Sequence, residues 1–338
     1  MPEPAVLVGA EGRAEAANRR AFDLLPGLKI GEPLVLALRA PDVVDAQRRV
    51  MASGEVETVS WSERVPVERL FDVTVAPLLS EEGGAVATLL TLRDRTELRR
   101  VERLRVDFIA NASHELRTPL ASLLGFIETL QGSARDDPRA RERFLVIMRE
   151  QGRRMSRLID DLLSLSRIEQ KEHVRPDALV DLAQTTRSVV DGLSAMAEEF
   201  RVEIRFSAPG PVRVVGDRDE LLRVAENLIE NAIKYGAPSQ RDSLNLVEVA
   251  VATTRKDAAL TVRDHGPGIP PEHLPRLTER FYRVDVGQSR ARNGTGLGLA
   301  IVKHILTRHR GRLAITSRIG QGSSFIASIP LYKEKNRP

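Results

Sequence analysis

Cysteine is absent from the 338 residues of this chain. Its absence excludes disulfide bonds, thiolate catalysis and cysteine-ligated metals, and it fits a reducing compartment. Aromatic residues are also scarce, at 4%, which argues against binding through stacked aromatic platforms. No apolar run approaches the roughly 20 residues that span a bilayer, and the N-terminus lacks the basic and apolar regions of a signal peptide. The chain as printed is therefore expected to be soluble and cytoplasmic.

A strong excess of one charge is absent as well. Lys and Arg total 51 against 47 Asp and Glu, which gives a formal net charge of +4. Nucleic-acid binding requires a clustered basic surface, so no nucleic-acid partner is expected. The arginine-rich stretch 139–157 has two interpretations, a surface for an acidic partner and a solvated helix face, and the second is favoured. The length and the 42% apolar content predict two or three packed domains.

Residues 1–95 are predicted to form a small α/β domain. Three runs have the apolar content or the alternation of strands, namely AVLVG (5–9), FDVTVAPLL (71–79) and AVATLLTL (85–92). The residues 18–54 between the first two runs are interpreted as short helical pieces.

Residues 96–172 are predicted to form an antiparallel helical hairpin. Apolar residues recur at steps of three and four from Val101 to Leu130, which is the stripe of one long amphipathic helix. The break GSARDDP precedes a second helix with its own stripe, and Asp-Asp-Pro is a typical helix start. One hairpin cannot bury both stripes, so dimerisation into a four-helix bundle is expected.

After a linker, KEHVRPDA, residues 177–334 are predicted to form an α+β sandwich with helices on one face of a mixed sheet. Helices are expected near 179–200, 217–235 and 297–309. Strands are expected at VEIRFSA, LVEVAVATT, LTVRD, RLAITSR and SFIASIPL.

The stretch NASHELRTPL (111–120) holds the first candidate for chemistry. His114 lies off the apolar stripe of its helix, so its ring is expected to point away from the core. An exposed neutral imidazole can act as a nucleophile, and the adjacent Glu115 can accept or orient its proton. Thr118 shares the outward face, and Pro119 is expected to free a carbonyl one turn back and to bend the helix. The alternative is a surface histidine without a function, which the length of the HELRTPL pattern disfavours.

The second candidate is the helical segment ENLIENAIKYG (226–236). Asn227, Asn231 and Lys234 share one polar face, and Glu230 adjoins it. Two amides weaken a helix on their own, but amide oxygens suit Mg²⁺, which prefers hard donors together with phosphate and water. Lys234 would attract a phosphate. An ordinary solvent-facing stripe is the alternative.

The third candidate is DHGPGIP (264–270), directly after a predicted strand. Asp264 at the strand end can accept a hydrogen bond from an adenine amino group. Gly266 and Gly268 permit close approach of the backbone. On its own the pattern D-x-G-x-G is weak, and a plain turn is the alternative.

The fourth candidate is NGTGLGLAIVKHI (293–305), which places Gly294, Gly296 and Gly298 before a helix. Backbone amides of such a loop form an anion site at the helix N-terminus. No strand directly precedes the run, so it does not fit a dinucleotide fingerprint. The polar loop of roughly 25 residues before it, with RFYRVD at 280–285, is interpreted as a lid over a nucleotide, or alternatively as a flexible surface loop.

In this order, HELRTPL, N-x-x-x-N, D-x-G-x-G, the FYR segment and G-x-G-L-G-L resemble the motif series of bacterial sensor histidine kinases. The resemblance covers about residues 97–333. It is greatest to the phosphate-regulon sensor kinases, through DFIANASHELRTPLASLLGFIETLQG and RLIDDLLSLSRIE. Residues 1–95 resemble a PAS domain that ends in LRDRTELRRVE.

The resemblance implies a multidomain α+β protein. A PAS-like sensor domain (1–95) would precede a dimerisation and phosphotransfer hairpin (96–172). An α/β sandwich that binds ATP, of the gyrase and histidine kinase type, would follow at 177–334.

The resemblance also implies residue roles, with ATP and Mg²⁺ bound. His114 would be autophosphorylated, Glu115 would be the general base, and Thr118 would position water when the kinase runs as a phosphatase on its partner. Asn231 would bind Mg²⁺ with help from Asn227. The remaining nucleotide-site residues would be Glu230, Lys234, Tyr235 beside the base, Asp264 as the adenine reader, Gly266, Gly268, Arg283 near the γ-phosphate, Gly294, Thr295, Gly296, Leu297 and Gly298.

The implied function is ATP-dependent autophosphorylation and transfer to an aspartate on the receiver domain of a response regulator, in phosphate-starvation signalling. The implied partners are a second copy of the chain, the regulator, and a regulatory protein at the PAS domain. Residues 1–100 contain no His or Cys, which argues against a His-ligated haem or a Cys-attached flavin there. Tethering to the inner membrane is expected only where the native protein has an N-terminal anchor.

Two other functions stay open at this point. One is a sensory scaffold that binds ATP and partners with little kinase output; it would be marked by a broken motif, and no motif is broken. The other is a DNA-binding regulator, suggested by the arginine content, for which no basic reading element is evident.

Overall fold

A computed structural model describes residues 3–63, 69–81, 84–236, 245–284 and 294–332, without the side chains of residues 104 and 105. The chain divides by its internal contacts into two compact units, Met1–Ala110 and Asn111–Pro338. None of the helices in the described ranges combines the length and the apolar content needed to cross a membrane.

The first unit is built on an antiparallel sheet of five strands in the order β2-β1-β5-β4-β3. Its described elements are β1 (Ala5–Gly9), β2 (Ala14–Ala17), α1 (Arg19–Leu24), α2 (Leu34–Ala37), α3 (Pro41–Ser53), β3 (Glu57–Glu63), β4 (Arg69–Leu79) and β5 (Ala85–Asp94). The three predicted strands and the helical pieces are confirmed. The sequence analysis misses the edge strands β2 and β3, because each buries a single side chain and so lacks a strong alternating signal.

The core of the first unit lies between α3 and one face of this sheet. Val73 and Leu90 on the central strands are fully buried. Trp61 stacks on Phe71 with 5.0 Å between the ring centroids, an arrangement that aromatic pairs favour. This face is therefore closed by apolar side chains.

Two long helices, α4 (Thr96–Gln131) and α5 (Pro138–Gln170), form the predicted hairpin. The turn ends at Asp137, whose carboxylate accepts the backbone N–H groups of Arg139 and Ala140 and caps α5 as Asp-Asp-Pro predicts. Cross-helix contacts fix the antiparallel register. Phe126 lies against Phe144, with 5.1 Å between centroids. Farther from the turn, Arg154 of α5 pairs with Glu115 of α4.

Much of the apolar surface of the hairpin is uncovered within one chain. Pro119 lies inside α4 without ending it, and its side chain is buried. The large apolar side chains that remain exposed on the two helices are Leu98, Val101, Val106, Ile109, Leu120, Leu124, Ile127, Leu145, Ile159 and Leu163. So many exposed large apolar side chains on two helices are typical of helices that bind a further partner.

The rest of the second unit is a mixed sheet with helices packed on it, as predicted. Its strand order is β11-β12-β10-β9-β7, with β7 parallel to β9 and the other pairs antiparallel. The described elements are β6 (Leu179–Asp181), α6 (Leu182–Gly192), α7 (Ser194–Glu199), β7 (Val202–Ser207), β8 (Arg213–Val215), α8 (Arg218–Tyr235), β9 (Asn245–Thr253), β10 (Asp257–Asp264), a 3₁₀ helix (Pro271–Arg276), α9 (Gly298–Arg308), β11 (Arg312–Arg318) and β12 (Gly322–Pro330).

The helix expected near 179–200 is wrong in its limits. Leu179–Asp181 is a short strand that pairs with β8, and the helical part begins at Leu182 and breaks between α6 and α7. The Asp181 carboxylate accepts the N–H groups of Ala183 and Gln184. A residue that caps a helix in this way has extended backbone, so the helix cannot include it.

A buried polar cluster joins α9, α8 and the segment after α5. His309 is buried; the backbone N–H of Asp217 donates to its Nε2 at 3.0 Å, and its Nδ1 lies 2.8 Å from the carbonyl of Ile305. Arg308 pairs with Glu220, whose Oε2 is buried without a hydrogen-bond partner in the described part of the chain. Burial lowers the pKa of His309 despite the nearby carboxylates, so the ring is neutral with its proton on Nδ1.

The folded pKa of His309 lies below its unfolded value of about 6.5. The stability it contributes is therefore present above that value and is lost as the pH falls. We expect the pH dependence of the unfolding free energy between pH 7 and 5 to become shallower in His309→Gln, by at most about 1.4 kcal/mol per pH unit. Denaturant titrations at several pH values measure it. Asn111→Gln supplies the control, since it exchanges an exposed amide for another group that does not titrate and should keep the wild-type slope; equal slopes for the two variants would contradict the assignment.

Candidate active site

The candidate phosphoacceptor, His114, lies exposed on α4 as expected. Its ring has no hydrogen-bond partner in the described ranges. The hydroxyl of Thr118, one turn later on the same face, donates to the His114 carbonyl at 3.2 Å. Pro119 has no N–H to donate to the carbonyl of Glu115. The imidazole is therefore open to a substrate on a turn that lacks one backbone hydrogen bond.

Glu115 is turned toward two arginines. Its Oε2 lies 3.2 Å from a guanidinium nitrogen of Arg154 on α5 and 3.0 Å from one of Arg283, which follows the 3₁₀ helix. The three side chains are 20%, 12% and 6% exposed, in that order. Pairs so shielded from water are little screened by salt, and removal of one partner leaves an unpaired buried charge. The side chain next to His114 in the sequence is thus held by two guanidinium groups from distant segments.

Arg283 has a second partner in the glycine loop. It donates to the carbonyl of Gly294 at 2.8 Å, and its Nε is buried without a hydrogen-bond partner in the described part of the chain. The sequence analysis expects Arg283 near a γ-phosphate. Its guanidinium connects Gly294 in the glycine loop to Glu115. Its Nε is the donor that has no acceptor in the described part of the chain.

A cavity of about 530 Å³ opens beside this arginine. Its size suits a nucleotide, since small-molecule sites are typically ~300–1,000 Å³. The predicted residues that line it are Asn227, Glu230, Asn231, Lys234, Tyr235, Asp264, Gly268, Arg283, Gly294, Thr295, Gly296 and Gly298. Gly266 and Leu297 do not line it: Leu297 is fully buried, and Gly266 packs on the backbone of Gly236. The residues His114, Glu115 and Thr118 are also outside its lining.

The amide face of α8 fits a divalent cation that is shared with a ligand. Asn231 is half-buried on the cavity wall, and its side chain has no partner in the described part of the chain. The amide of Asn227 donates to the Arg223 carbonyl at 2.8 Å, and Lys234 pairs with Glu230. No cluster of three or more His, Asp or Glu side chains suited to a metal occurs in the described ranges. The donors present fit an oxygen-bound Mg²⁺ completed by phosphate and water.

Asp264 ends β10 at the inner end of the cavity and is 6% exposed. Its Oδ1 accepts the backbone N–H groups of Gly266 at 3.0 Å and Ser323 at 3.2 Å. These two bonds fix the carboxyl and leave Oδ2 for a ligand. Burial raises the pKa of Asp264 in spite of both hydrogen bonds. A buried acceptor in this position can select an amino group.

The predicted lid is described up to Val284, and residues 285–293 lie outside the described residues. The described part of the lid contacts the glycine loop, because the N–H of Phe281 donates to the Gly296 carbonyl at 2.8 Å. The hydroxyl of Tyr282, which lines the cavity, lies 2.5 Å from Nδ1 of His273. The sequence analysis does not single out His273, since a histidine in a proline-rich turn has no recognisable spacing.

The second helix of the hairpin also contributes to the cavity, which the sequence analysis does not foresee. Arg157, Asp160 and Asp161 of α5 lie on its wall. The hydroxyl of Thr295 donates to Asp161 at 2.8 Å, and Arg223 pairs with the same carboxylate at 3.0 Å. Glu226 on α8 is a further lining residue, and burial together with the charge of Glu230 raises its pKa.

Three segments of the chain match known domain families. Residues 216–333 match the histidine kinase-, DNA gyrase B- and HSP90-like ATPases. Residues 104–171 match the His Kinase A (phospho-acceptor) domain, and residues 1–100 match the PAS fold. The cavity is lined by residues of the ATPase part and by Arg157, Asp160 and Asp161 of the phosphoacceptor part, and His114 lies in the phosphoacceptor part.

Among curated proteins, the phosphate regulon sensor protein PhoR of Pseudomonas aeruginosa is 40% identical over 330 residues, covering 96% of this chain and 71% of that protein. The sensor-like histidine kinase SenX3 of Mycobacterium bovis is 36% identical over 269 residues, covering 78% and 63%. The chain thus spans about two thirds of the length of these two relatives.

Two solved structures share the fold. Histidine kinase ThkA in complex with response regulator protein TrrA covers 99% of this chain and 98% of its own, with 22% identity and a TM-score of 0.53. The histidine kinase AdeS of Acinetobacter baumannii covers 65% of this chain and 98% of its own, with 25% identity and a TM-score of 0.51.

The close packing of Gly236 against Asp264 gives a test of the cavity. A Cβ at Gly236 would lie 2.4 Å from the Ala232 carbonyl oxygen and 2.5 Å from Cβ of Asp264. We expect Gly236→Ala to displace the carboxyl and to weaken adenine-nucleotide binding at least ten-fold, measured by calorimetry. Gly210→Ala is the control, since a Cβ there meets nothing within 4 Å. Unchanged affinity in Gly236→Ala would mean that Asp264 does not contact the nucleotide.

Proposed function

We propose a phosphotransfer reaction on the premise that the chain belongs to the sensor histidine kinases of the phosphate-regulon type, the family of its matched domains and of its relatives. The chain is thus a protein-histidine kinase with an ATP-binding domain. In the proposed reaction, ATP phosphorylates His114, and the phosphoryl group passes to an aspartate on the receiver domain of a response regulator.

The observation that carries this proposal is the double contact of Arg283. One guanidinium reaches Gly294 in the glycine loop and Glu115 next to His114. The proposed phosphate-binding end of the cavity and the proposed phosphoacceptor would therefore be neighbours within a single chain. Proximity of this kind converts a bimolecular transfer into a step within one complex.

ATP is proposed to bind with its adenine amino group donating to Asp264 and its base beside Tyr235. The backbone amides of the loop Gly294–Gly298, which leads into α9, would bind the phosphates, as glycine loops at helix N-termini do. The loop includes Thr295 and Leu297, and Leu297 anchors it because its side chain is fully buried. Lys234 adds positive charge, shared with Glu230.

Asn231 is proposed to hold Mg²⁺, with Asn227 assisting. The bound ion would neutralise charge on the β- and γ-phosphates. The unpartnered amide of Asn231 on the cavity wall supports this role. The amide nitrogen of Asn227 is engaged by Arg223, which leaves its oxygen for the site.

The chemical step forms an N–P bond between a ring nitrogen of His114 and the γ-phosphorus and breaks the bond from that phosphorus to the β-bridging oxygen. ADP leaves with the electron pair, and the proton on the other ring nitrogen passes to Glu115. Arg283 is proposed to exchange Glu115 for the γ-phosphate when ATP binds. This exchange frees the base at the moment at which the phosphoryl group arrives.

The chain is further proposed to work as a homodimer. The exposed apolar side chains of α4 and α5 support this, because a second hairpin would cover them in a four-helix bundle. The exposed face around His114 would then receive the regulator. The regulator is proposed from the fold relative ThkA, whose structure is a complex with a response regulator protein.

Thr118 is proposed to position water for dephosphorylation of that regulator, since its hydroxyl lies on the same exposed face as His114.

The proposed signal is phosphate limitation, as the name of the relative PhoR suggests. The proposed domains are a PAS sensor at 1–95 that contacts a regulatory protein, the hairpin at 96–172 and the catalytic domain at 177–334. A cytoplasmic location is proposed for these domains.

Replacement of the phosphoacceptor tests the reaction. We expect His114→Gln to abolish labelling from γ-labelled ATP while ATP binding persists. The wild-type label should be lost in acid and survive in base, as expected for phosphorus on nitrogen. His173→Gln, a change of an exposed histidine in the linker, should label as the wild type does. Full labelling of His114→Gln would refute the assignment, and ATP binding without labelling of the wild type would favour a scaffold.

Replacement of the metal ligand tests the ion site. We expect Asn231→Ala to weaken ATP binding in Mg²⁺ at least ten-fold, about 1.4 kcal/mol, because an amide oxygen is lost from the ion. Binding measured in EDTA should be the same for the variant and the wild type. Asn111→Ala removes an exposed asparagine of α4 and should have no effect. A loss of affinity that persists in EDTA would count against the metal role.

A further inference from the structure

One face of α5 runs along the path from the phosphoacceptor to the glycine loop. Arg154 contacts Glu115 beside His114, and Asp161, seven residues later, accepts the hydroxyl of Thr295 in the glycine loop. Seven residues correspond to about 10 Å of helix. This short length of α5 therefore borders the space that a phosphoryl group must cross.

Arg157 lies between these two contacts. It follows Arg154 by three residues and precedes Asp161 by four, so the three side chains share one helix face. Its side chain is exposed and forms part of the cavity wall. The phosphoacceptor hairpin thus contributes a cation to the nucleotide cavity of the ATPase part.

The charge of Arg157 is unpaired in the described part of the chain. Of the three arginines that line the cavity, Arg223 pairs with Asp161 and Arg283 pairs with Glu115. Arg157 has no ion pair or hydrogen bond in the described ranges, although carboxylates lie on the same cavity wall. A guanidinium with five donors and no carboxylate partner, on the wall of a phosphate cavity, suits an oxyanion.

We propose that Arg157 is a catalytic residue whose guanidinium binds the phosphoryl group as it moves from ATP to His114, an inference that rests on the proposed function. Arg157 gains and loses no proton in this step. The bond between His114 nitrogen and the γ-phosphorus forms, the bond from that phosphorus to the β-bridging oxygen breaks, and the leaving ADP takes the electron pair. The guanidinium stabilises the charge that the moving group spreads over its three equatorial oxygens in the transition state.

Three variants test this proposal in the full chain. Arg157→Gln removes the charge, and Arg157→Lys keeps the charge without the planar fork. Arg153→Gln is the matched control, an exposed arginine of α5 four residues away and outside the cavity wall. Two readouts are needed, the rate of autophosphorylation at saturating ATP and the affinities for ADP and a non-hydrolysable ATP analogue, both measured with Mg²⁺.

We expect Arg157→Gln to lower the autophosphorylation rate by about 10²-fold, the usual effect of removing one charge-stabilising donor. ADP affinity should change less than two-fold, and the preference for the ATP analogue over ADP should fall. Arg157→Lys should recover part of the rate, and Arg153→Gln should match the wild type. A purely structural role would instead weaken ADP and ATP binding together, which would overturn the proposal.

Equal rates and equal nucleotide preference in Arg157→Gln and Arg153→Gln would also overturn it, since Arg157 would then be a solvated surface residue. Failure of the proposed function is distinguishable, because the wild type would not become labelled. In that case the nucleotide preference alone decides the role of Arg157, as binding of the ATP analogue does not depend on transfer to His114.

Discussion

The carboxylate of Glu115 is the point on which the geometry of the site depends. It accepts guanidinium groups from Arg154 on α5 and from Arg283 beside the glycine loop, and all three side chains are largely shielded from water. A shielded charge that loses its partner is strongly destabilising, so Arg283 can leave Glu115 only where another anion receives it. The helix that carries His114, its returning partner helix and the segment before the glycine loop therefore meet at this one carboxylate.

The second set of contacts lies farther along α5 and acts on the same cavity. Asp161 binds both Thr295 of the glycine loop and Arg223 of α8. Beyond the end of α5, Arg308 donates to the carbonyls of Lys171 and Val174. These are polar contacts between separate secondary-structure elements, and each one uses hydrogen bonds that water could replace. These hydrogen bonds and ion pairs hold the elements in place, and a charged ligand that enters the cavity can replace one of their partners.

The periodicity of the sequence is enough to predict the two long helices, most strands and the layer order of the ATPase part. It fails for β6 and β8, since a strand of three residues is too short for an alternating pattern, and the capping by Asp181 was the available signal for the true helix start. The residues of α8 and of the glycine loop that line the cavity are predictable as groups because each group is local in sequence.

Contacts between distant segments are not predictable in this way. The pairing of Glu115 with Arg283 joins residues 168 positions apart, and no spacing rule relates them. Arg157 was hidden for a similar reason. It belongs to an arginine-rich run whose usual explanation is a solvated face, and only the fold shows that one member of that run reaches the cavity.

Pro119 gives α4 a property that its length alone does not suggest. A helix of 36 residues transmits a twist or a bend along its axis because each turn is held by several hydrogen bonds. At this turn Pro119 has no N–H to donate to the Glu115 carbonyl. The His114 carbonyl accepts a hydrogen bond from the hydroxyl of Thr118. The missing hydrogen bond makes the helix easier to bend at the turn that carries His114. A mechanical strain arriving from either end would concentrate its angular change there, in the turn that carries His114, Glu115 and Thr118.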